Sequence, residues 1–252
     1  SIAGSNNTVL SANNIGAFIN MLFRQLFEKN SSTYTYLIAD KLSKQAVLID
    51  PVIDETDGYI RLLNELGLTL KVAMDTHTHA DHITALGKLR ELTGCETYMG
   101  QQANSSCAND SFHDGSKIKV GNIELTALHT PGHTDDSYCF HLEHKGQQYL
   151  FTGDTLLIRG TGRTDFQNGS ATDQYSSLFD KLLKLPEDTW IYPAHDYKGW
   201  MVSTIGEERE HNPRLQVKDV VEYKNIMDNL NLPNPKMMDV AVPANRACGN
   251  LV

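Results

Sequence analysis

The chain has 252 residues, 40% of them hydrophobic, which suits one large layered α/β domain with a sizeable core. Its formal net charge of −9, from 31 acidic against 22 basic residues, argues against general nucleic-acid binding, where phosphate contact calls for Lys and Arg. No stretch approaches the roughly 18 to 20 apolar residues of a membrane helix, so no membrane partner is expected.

Residues 1–14 are polar, with neither a hydrophobic signal core nor the arginines of a transit peptide, and the start at Ser1 leaves room for a processed segment. Residues 33–40 read as a strand with Tyr34, Tyr36 and Ile38 alternating onto one face. A polar turn then leads to a second strand at 45–50. Residues 57–66 carry Ile60, Leu63 and Leu66 at helical spacing and stop at Gly67. Residues 70–74 form a short buried strand. Ile83, Leu86 and Leu89 predict a helix opening at Asp81 and running to about Thr93, closed by Gly94.

Strand-like runs follow at 96–99, 117–120, 123–129, 137–141 and 148–151. Residues 173–185 are helical, with Tyr175, Leu178, Leu182 and Leu185 as the buried stripe. A strand at 189–192 and a late helix at 217–230 complete the series. The tail, 233–252, is rich in Pro and Asn and is expected to wrap the surface. Strands come in runs interrupted by helices, without strict alternation, which favours an α+β sandwich of mixed sheets over a doubly wound parallel sheet. There is no internal repeat. The reading is one domain over 1–252 with a C-terminal extension from about residue 200.

Four cysteines, Cys95, Cys107, Cys139 and Cys248, form no CxxC pair. In a chain of this length they do not read as a disulfide scaffold, and reduced thiols in a cytosol-like compartment are expected. Cys95 and Cys139 fall in or beside regular elements and are expected to be packed and inert.

The chemistry concentrates in His77-Thr78-His79-Ala80-Asp81-His82, three imidazoles and a carboxylate directly after an apolar strand. Imidazole suits Zn, Fe, Cu and Ni, and a strand can deliver it to its own C-terminal end. Three later strand ends carry matching groups: His133 in TPGHT, Asp154 in TGDT and His195 in PAHD. Gly or Pro beside each lets the backbone turn the side chain out of the sheet edge. Taken singly, each of these histidines is as easily structural. His113, His129, His141, His144 and His211 are read that way.

Taken jointly, HxHxDH, TPGHT, TGDT and PAHD resemble the metallo-β-lactamase superfamily from about residue 33 to 197. That resemblance implies an αβ/βα sandwich with a metal in a groove between the sheet edges. Three further strings narrow it: Gly160 to Gln167, Tyr192 to Gly199, and Thr204 to Arg209 with Asn212-Pro213-Arg214. With Pro243-Ala244-Asn245 and Cys248-Gly249 they are similar to the persulfide dioxygenase (ETHE1-like) family.

That resemblance implies a non-haem Fe(II) enzyme oxidising glutathione persulfide with O2 and water to sulfite and glutathione. It implies one iron per chain on His77, His133 and Asp154, the two-imidazole, one-carboxylate facial set of such oxygenases. His79, Asp81, His82 and His195, which complete two metal sites in hydrolases of the superfamily, would orient these ligands or form a vestigial second site. Arg163, Tyr197 and Arg214 are the candidates for holding substrate, with Lys198 weaker. Arg163 also reads as a structural partner of Asp165. The resemblance further implies a bacterial cytoplasm or a mitochondrial matrix, and a possible homodimer. The competing readings are a dinuclear glyoxalase II-type hydrolase of glutathione thioesters and a non-catalytic binding protein on the same fold.

Overall fold

Two six-stranded sheets face each other across a shared apolar core in the computed structural model, which describes residues 20–250; the polar stretch 1–14 lies outside the described residues. The first sheet holds β1 (Met21–Glu28), β2 (Thr33–Asp40), β3 (Gln45–Ile49), β4 (Thr69–Met74), β5 (Glu96–Gly100) and β6 (Asp110–Phe112), side by side in chain order. Its first three strands pair antiparallel, and β3 to β6 pair parallel.

The second sheet begins with β7 (Lys117–Val120), β8 (Ile123–His129), β9 (Tyr138–His144) and β10 (Gln147–Gly153). A two-stranded flap follows, β11 (Leu156–Leu157) with β12 (Gly160–Thr161), before β13 (Trp190–Pro193) and β14 (Ser203–Thr204). The spatial order is β14-β13-β10-β9-β8-β7, antiparallel throughout except for the parallel β10–β13 pair.

Between the sheets, Tyr36, Ile38, Val47, Ile49 and Met74 meet Val120, Leu125, Phe140 and Phe151. Burying each such side chain contributes about 1.5–3 kcal/mol. Helices α1 (Thr56–Glu65) and α2 (Leu86–Thr93) cover the outer face of the first sheet through Tyr59, Leu63, Leu86 and Leu89. On the outer face of the second lie α3 (Ala171–Ser176), α4 (Ile205–His211) and α5 (Val220–Asp228), which contribute Ala171, Ile205, Tyr223 and Met227. The result is the helix–sheet–sheet–helix sandwich of two mixed sheets.

Several sequence expectations are corrected. β2 is buried on both faces, because α1 and α2 cover the side opposite the inter-sheet core. Strand β1 has no counterpart in the sequence reading: it is an edge strand, half-buried along most of its length, and carries no clean alternation. The helix expected from Asp81 begins only at Leu86, since the backbone before it is spent on other partners: Ala85 N–H on Pro51 and Thr84 N–H on Asn245. Segment 173–185 is helical but not uniform; α3 runs into a wide turn at Ser177–Lys181 and a tight one at Leu182–Lys184.

The tail departs most from expectation. It forms α6 (Met238–Arg246), with Ala241, Ala244 and Asn245 buried. The thiols expected to be reduced are not all so: Cys107 and Cys248 form a disulfide, while Cys95 and Cys139 are free and buried. Proximity explains the bond. The Arg246 carbonyl accepts from Ser106 N–H and Ser105 Oγ–H, so the tail is laid along the loop that carries Cys107.

Candidate metal centre

Four strands end at the same rim of the sandwich. His77 follows β4, His133 follows β8, Asp154 directly follows β10, and His195 follows β13. The first strand belongs to one sheet and the other three to its partner, so these side chains meet only because the sheets are tied at this edge. The ties are two main-chain bonds, Tyr138 N–H to Thr76 O (2.8 Å) and Tyr34 N–H to Ala194 O (2.7 Å); within the second sheet, Ala194 N–H to Gly153 O (2.8 Å) holds the ends of β10 and β13 together.

His77, His133 and Asp154 form one compact group, with their donor atoms within 4.8 Å of one another. Both imidazole Nε2 atoms stand 3.4 Å from Asp154 Oδ2. The far nitrogens fix the ring orientation. His133 Nδ1–H donates to the Arg163 carbonyl at 2.7 Å. Thr76 Oγ–H donates to Asp50, so it accepts from His77 Nδ1–H at 2.9 Å. With Nδ1 so engaged, each ring turns Nε2 toward Asp154, the pattern expected of metal-binding imidazoles held by outer partners.

Burial alone would raise the Asp154 carboxyl, but the His195 and His77 imidazoles beside it hold it well below the usual carboxylate range. Burial lowers His77, while the hydrogen bond and charge of Asp154 bring it up to about 8. A cation therefore competes with a proton at His77 Nε2. Burial depresses His133.

A second group, His79, Asp81, His82 and His195, lies alongside. His79 Nε2–H donates to Asp50 Oδ1 at 2.9 Å. Burial, with His77 and His82 nearby, takes His79 down to about 4, so its ring is neutral. His79 Nδ1 and His82 Nε2 are buried without a hydrogen-bond partner. His195 bridges the two groups, with Nδ1 2.6 Å from Asp154 Oδ1 and Nε2 2.6 Å from Asp81 Oδ2. Burial opposes its charge, yet those two carboxylates lift it well above the ordinary imidazole value. Two imidazoles with a carboxylate fit a transition-metal ion, and the unpartnered nitrogens leave the second group donor capacity of its own.

The substrate candidates divide. Tyr197 is 75% exposed and lies parallel to the His195 ring, centroids 6.1 Å apart, at the rim of the site. Arg163 is committed elsewhere: Nε and Nη2 clamp the Asp165 carboxylate at 2.7 and 2.8 Å, and Nη1 donates to Pro233 O at 2.6 Å. Its structural pairing is thus the one observed. Arg214 donates to the Thr161 carbonyl and to Thr161 Oγ1, bracing β12. Lys198 pairs with Asp196 at 3.3 Å.

Sequence reasoning missed four polar residues. Thr33 Oγ1 contacts both His82 Nδ1 (3.2 Å) and His195 Nε2 (3.0 Å). Asp50 holds Thr76 and His79. Asp136 accepts from Thr78 N–H and Oγ–H. Asn245 reaches the histidine loop from α6. Asp50 had a visible signal, a carboxylate ending an apolar strand. Asn245 stood in the Pro243-Ala244-Asn245 string without a role, and Thr33 and Asp136 had no signal.

Comparison with known proteins settles the family. Residues 30–195 match the metallo-beta-lactamase superfamily. The mouse protein "Persulfide dioxygenase ETHE1, mitochondrial" is 48% identical over 230 residues, spanning 91% of this chain and 89% of its own length. The human protein of the same name matches to the same extent. The crystal structure of ETHE1 from Myxococcus xanthus superposes with a TM-score of 0.88 at 53% identity, covering 91% of this chain and all of that one.

The chain belongs to the persulfide dioxygenase family of the metallo-β-lactamase superfamily.

A Staphylococcus aureus metallo-beta-lactamase superposes with a TM-score of 0.83 at 27% identity, covering 92% of this chain and 73% of that one. The sandwich is thus common to the superfamily, while the persulfide dioxygenases match nearly the whole chain at much higher identity. Among the described residues no helix is long and apolar enough to cross a membrane.

Proposed function

We propose that this chain is a glutathione persulfide dioxygenase that carries one Fe(II) on His77, His133 and Asp154. The reaction is persulfide plus O2 plus water giving sulfite and glutathione: the outer sulfur is oxidised and the inner sulfur leaves as thiol. The carrying observation is the convergence of His77 Nε2 and His133 Nε2 on one oxygen of Asp154. Near-full-length similarity to proteins named persulfide dioxygenase supports the same reading.

Ferrous iron bound there would supply the redox chemistry that closed-shell zinc lacks, with positions left open beside three protein ligands. The chain's own residues do the rest. Asp50 and Thr76 hold the His77 ring, and the Arg163 carbonyl holds His133. His195 keeps Asp154 Oδ1 occupied, so Oδ2 alone faces the two imidazoles. The exposed Tyr197 ring offers substrate a flat contact beside His195. The Arg163 side chain, held by Asp165 and the Pro233 carbonyl, fixes the loop whose carbonyl orients His133.

The glyoxalase II-type alternative has one observation in its favour, the unpartnered His79 Nδ1 and His82 Nε2. Anaerobic loading with Fe(II), metal analysis and an oxygen electrode separate the two. One iron per chain with O2 uptake on glutathione persulfide is expected. Two metals per chain with S-lactoylglutathione hydrolysis and no O2 uptake would reverse the assignment.

A further inference from the structure

Residues 77–85 carry three imidazoles and a carboxylate but form no helix and no strand. A buried loop of this kind must find partners for its peptide groups outside regular structure, since each unpaired group costs free energy. Thr78 N–H finds Asp136, Ile83 O accepts from Ile53 N–H, and Ala85 N–H finds Pro51 O. The His79 carbonyl, the His82 carbonyl and the Thr84 N–H are left to a single side chain.

That side chain is Asn245. It is fully buried, and its amide spends both N–H donors and its carbonyl oxygen on the loop. Nδ2 donates to His79 O at 2.9 Å and to His82 O at 2.8 Å, while Oδ1 accepts from Thr84 N–H at 2.8 Å. The two gripped carbonyls flank Asp81, and the His79 ring lies 4.2 Å, centroid to centroid, from that of His77. Helix α6, which presents the amide, is itself pinned: Gly87 N–H donates to Cys248 O, and Cys248 is bonded to Cys107.

We propose that Asn245 is a positioning residue of the metal centre: from the far end of the chain it sets the backbone of the ligand loop, and so where His79 and His82 stand against His77. The inference rests on the metal-enzyme reading above. No other polar group replaces it, because three backbone groups of opposite polarity are served at once. Asp in its place keeps the acceptor for Thr84 but loses both donations and faces a carboxylate toward two carbonyls. Ala loses all three bonds.

The test loads the full chain with Co(II) and follows two readouts without any persulfide. These are the visible ligand-field spectrum and the rate of release to a chelator. Asn245→Ala is expected to release cobalt about 10- to 100-fold faster, the range for partners that orient ligands, with a shifted spectrum and an unchanged far-UV circular dichroism spectrum. Where Asn245→Ala does not fold, Asn245→Asp carries the test with the same expectation. A folded variant with the parental spectrum and release rate overturns the proposal, whatever its melting temperature, while leaving the dioxygenase reading intact. A parent chain that takes up no cobalt overturns both.

Discussion

His195 Nδ1 lies 2.6 Å from Asp154 Oδ1, so the carboxylate is locked in rotation and offers only its other oxygen to His77 and His133. Asp154 is thereby both a donor to the site and a lever by which the rest of the rim reaches it. His195→Ala should leave Asp154 present but free to turn. Iron affinity should fall about 10- to 100-fold, as for other partners that orient ligands. Asp154→Ala should retain essentially no iron in a folded chain. Metal analysis after dialysis, with circular dichroism as the folding control, checks both, and parental iron content in Asp154→Ala would remove it from the ligand set.

Arg163→Ala should act through the metal and not through substrate affinity. Its side chain clamps Asp165 and the Pro233 carbonyl, while its own carbonyl receives His133 Nδ1–H. Freeing that loop should lower kcat and iron retention, with KM changing less. A raised KM at unchanged kcat would show that the guanidinium leaves Asp165 to hold substrate.

Cys107→Ser should destabilise the oxidised protein. The bond joins residues 141 apart in sequence, and closing a loop of that length contributes about 2–5 kcal/mol, chiefly by restricting the unfolded chain. Urea unfolding should separate parent from variant without reductant and bring them together with it. Coincident curves in both conditions would mean that the two sulfurs are not bonded in solution.

Asp40 gives a pH dependence remote from the metal. Burial opposes its charge, but hydrogen bonds from Asn122 N–H, Ser43 Oγ–H and Leu42 N–H outweigh this and lower its pKa. Because the folded value lies below the unfolded one, its stabilisation is full above about pH 4 and is lost as pH falls through the folded value. Asp40→Ala should cost about 1–3 kcal/mol at neutral pH, where three donors lose their acceptor. The gap from the parent should shrink in acid, and a gap independent of pH would assign the loss to packing.

Much of this was readable from sequence, for a physical reason. His77, His133, Asp154 and His195 each follow a strand and sit beside a turn, so local pattern and order along the chain point to one rim. Their supports are long-range. Thr33 opens a strand like many threonines, and only the sheet-to-sheet tie brings it to His82 and His195. Helix α6 was hidden because Pro243 inside it reads as a breaker, and with it the reach of Asn245 to the histidine loop. The Cys107–Cys248 bond left no trace in spacing, since its partners are joined by the path of the tail and not by a motif.

That bond also changes what a cut chain would be. His133, Asp154 and His195 all lie in the segment between Cys107 and Cys248, whereas His77 lies before it. A protease that severs one peptide link anywhere in that segment yields two fragments still tethered through sulfur. The nicked protein would travel as one particle, with every metal-facing group aboard.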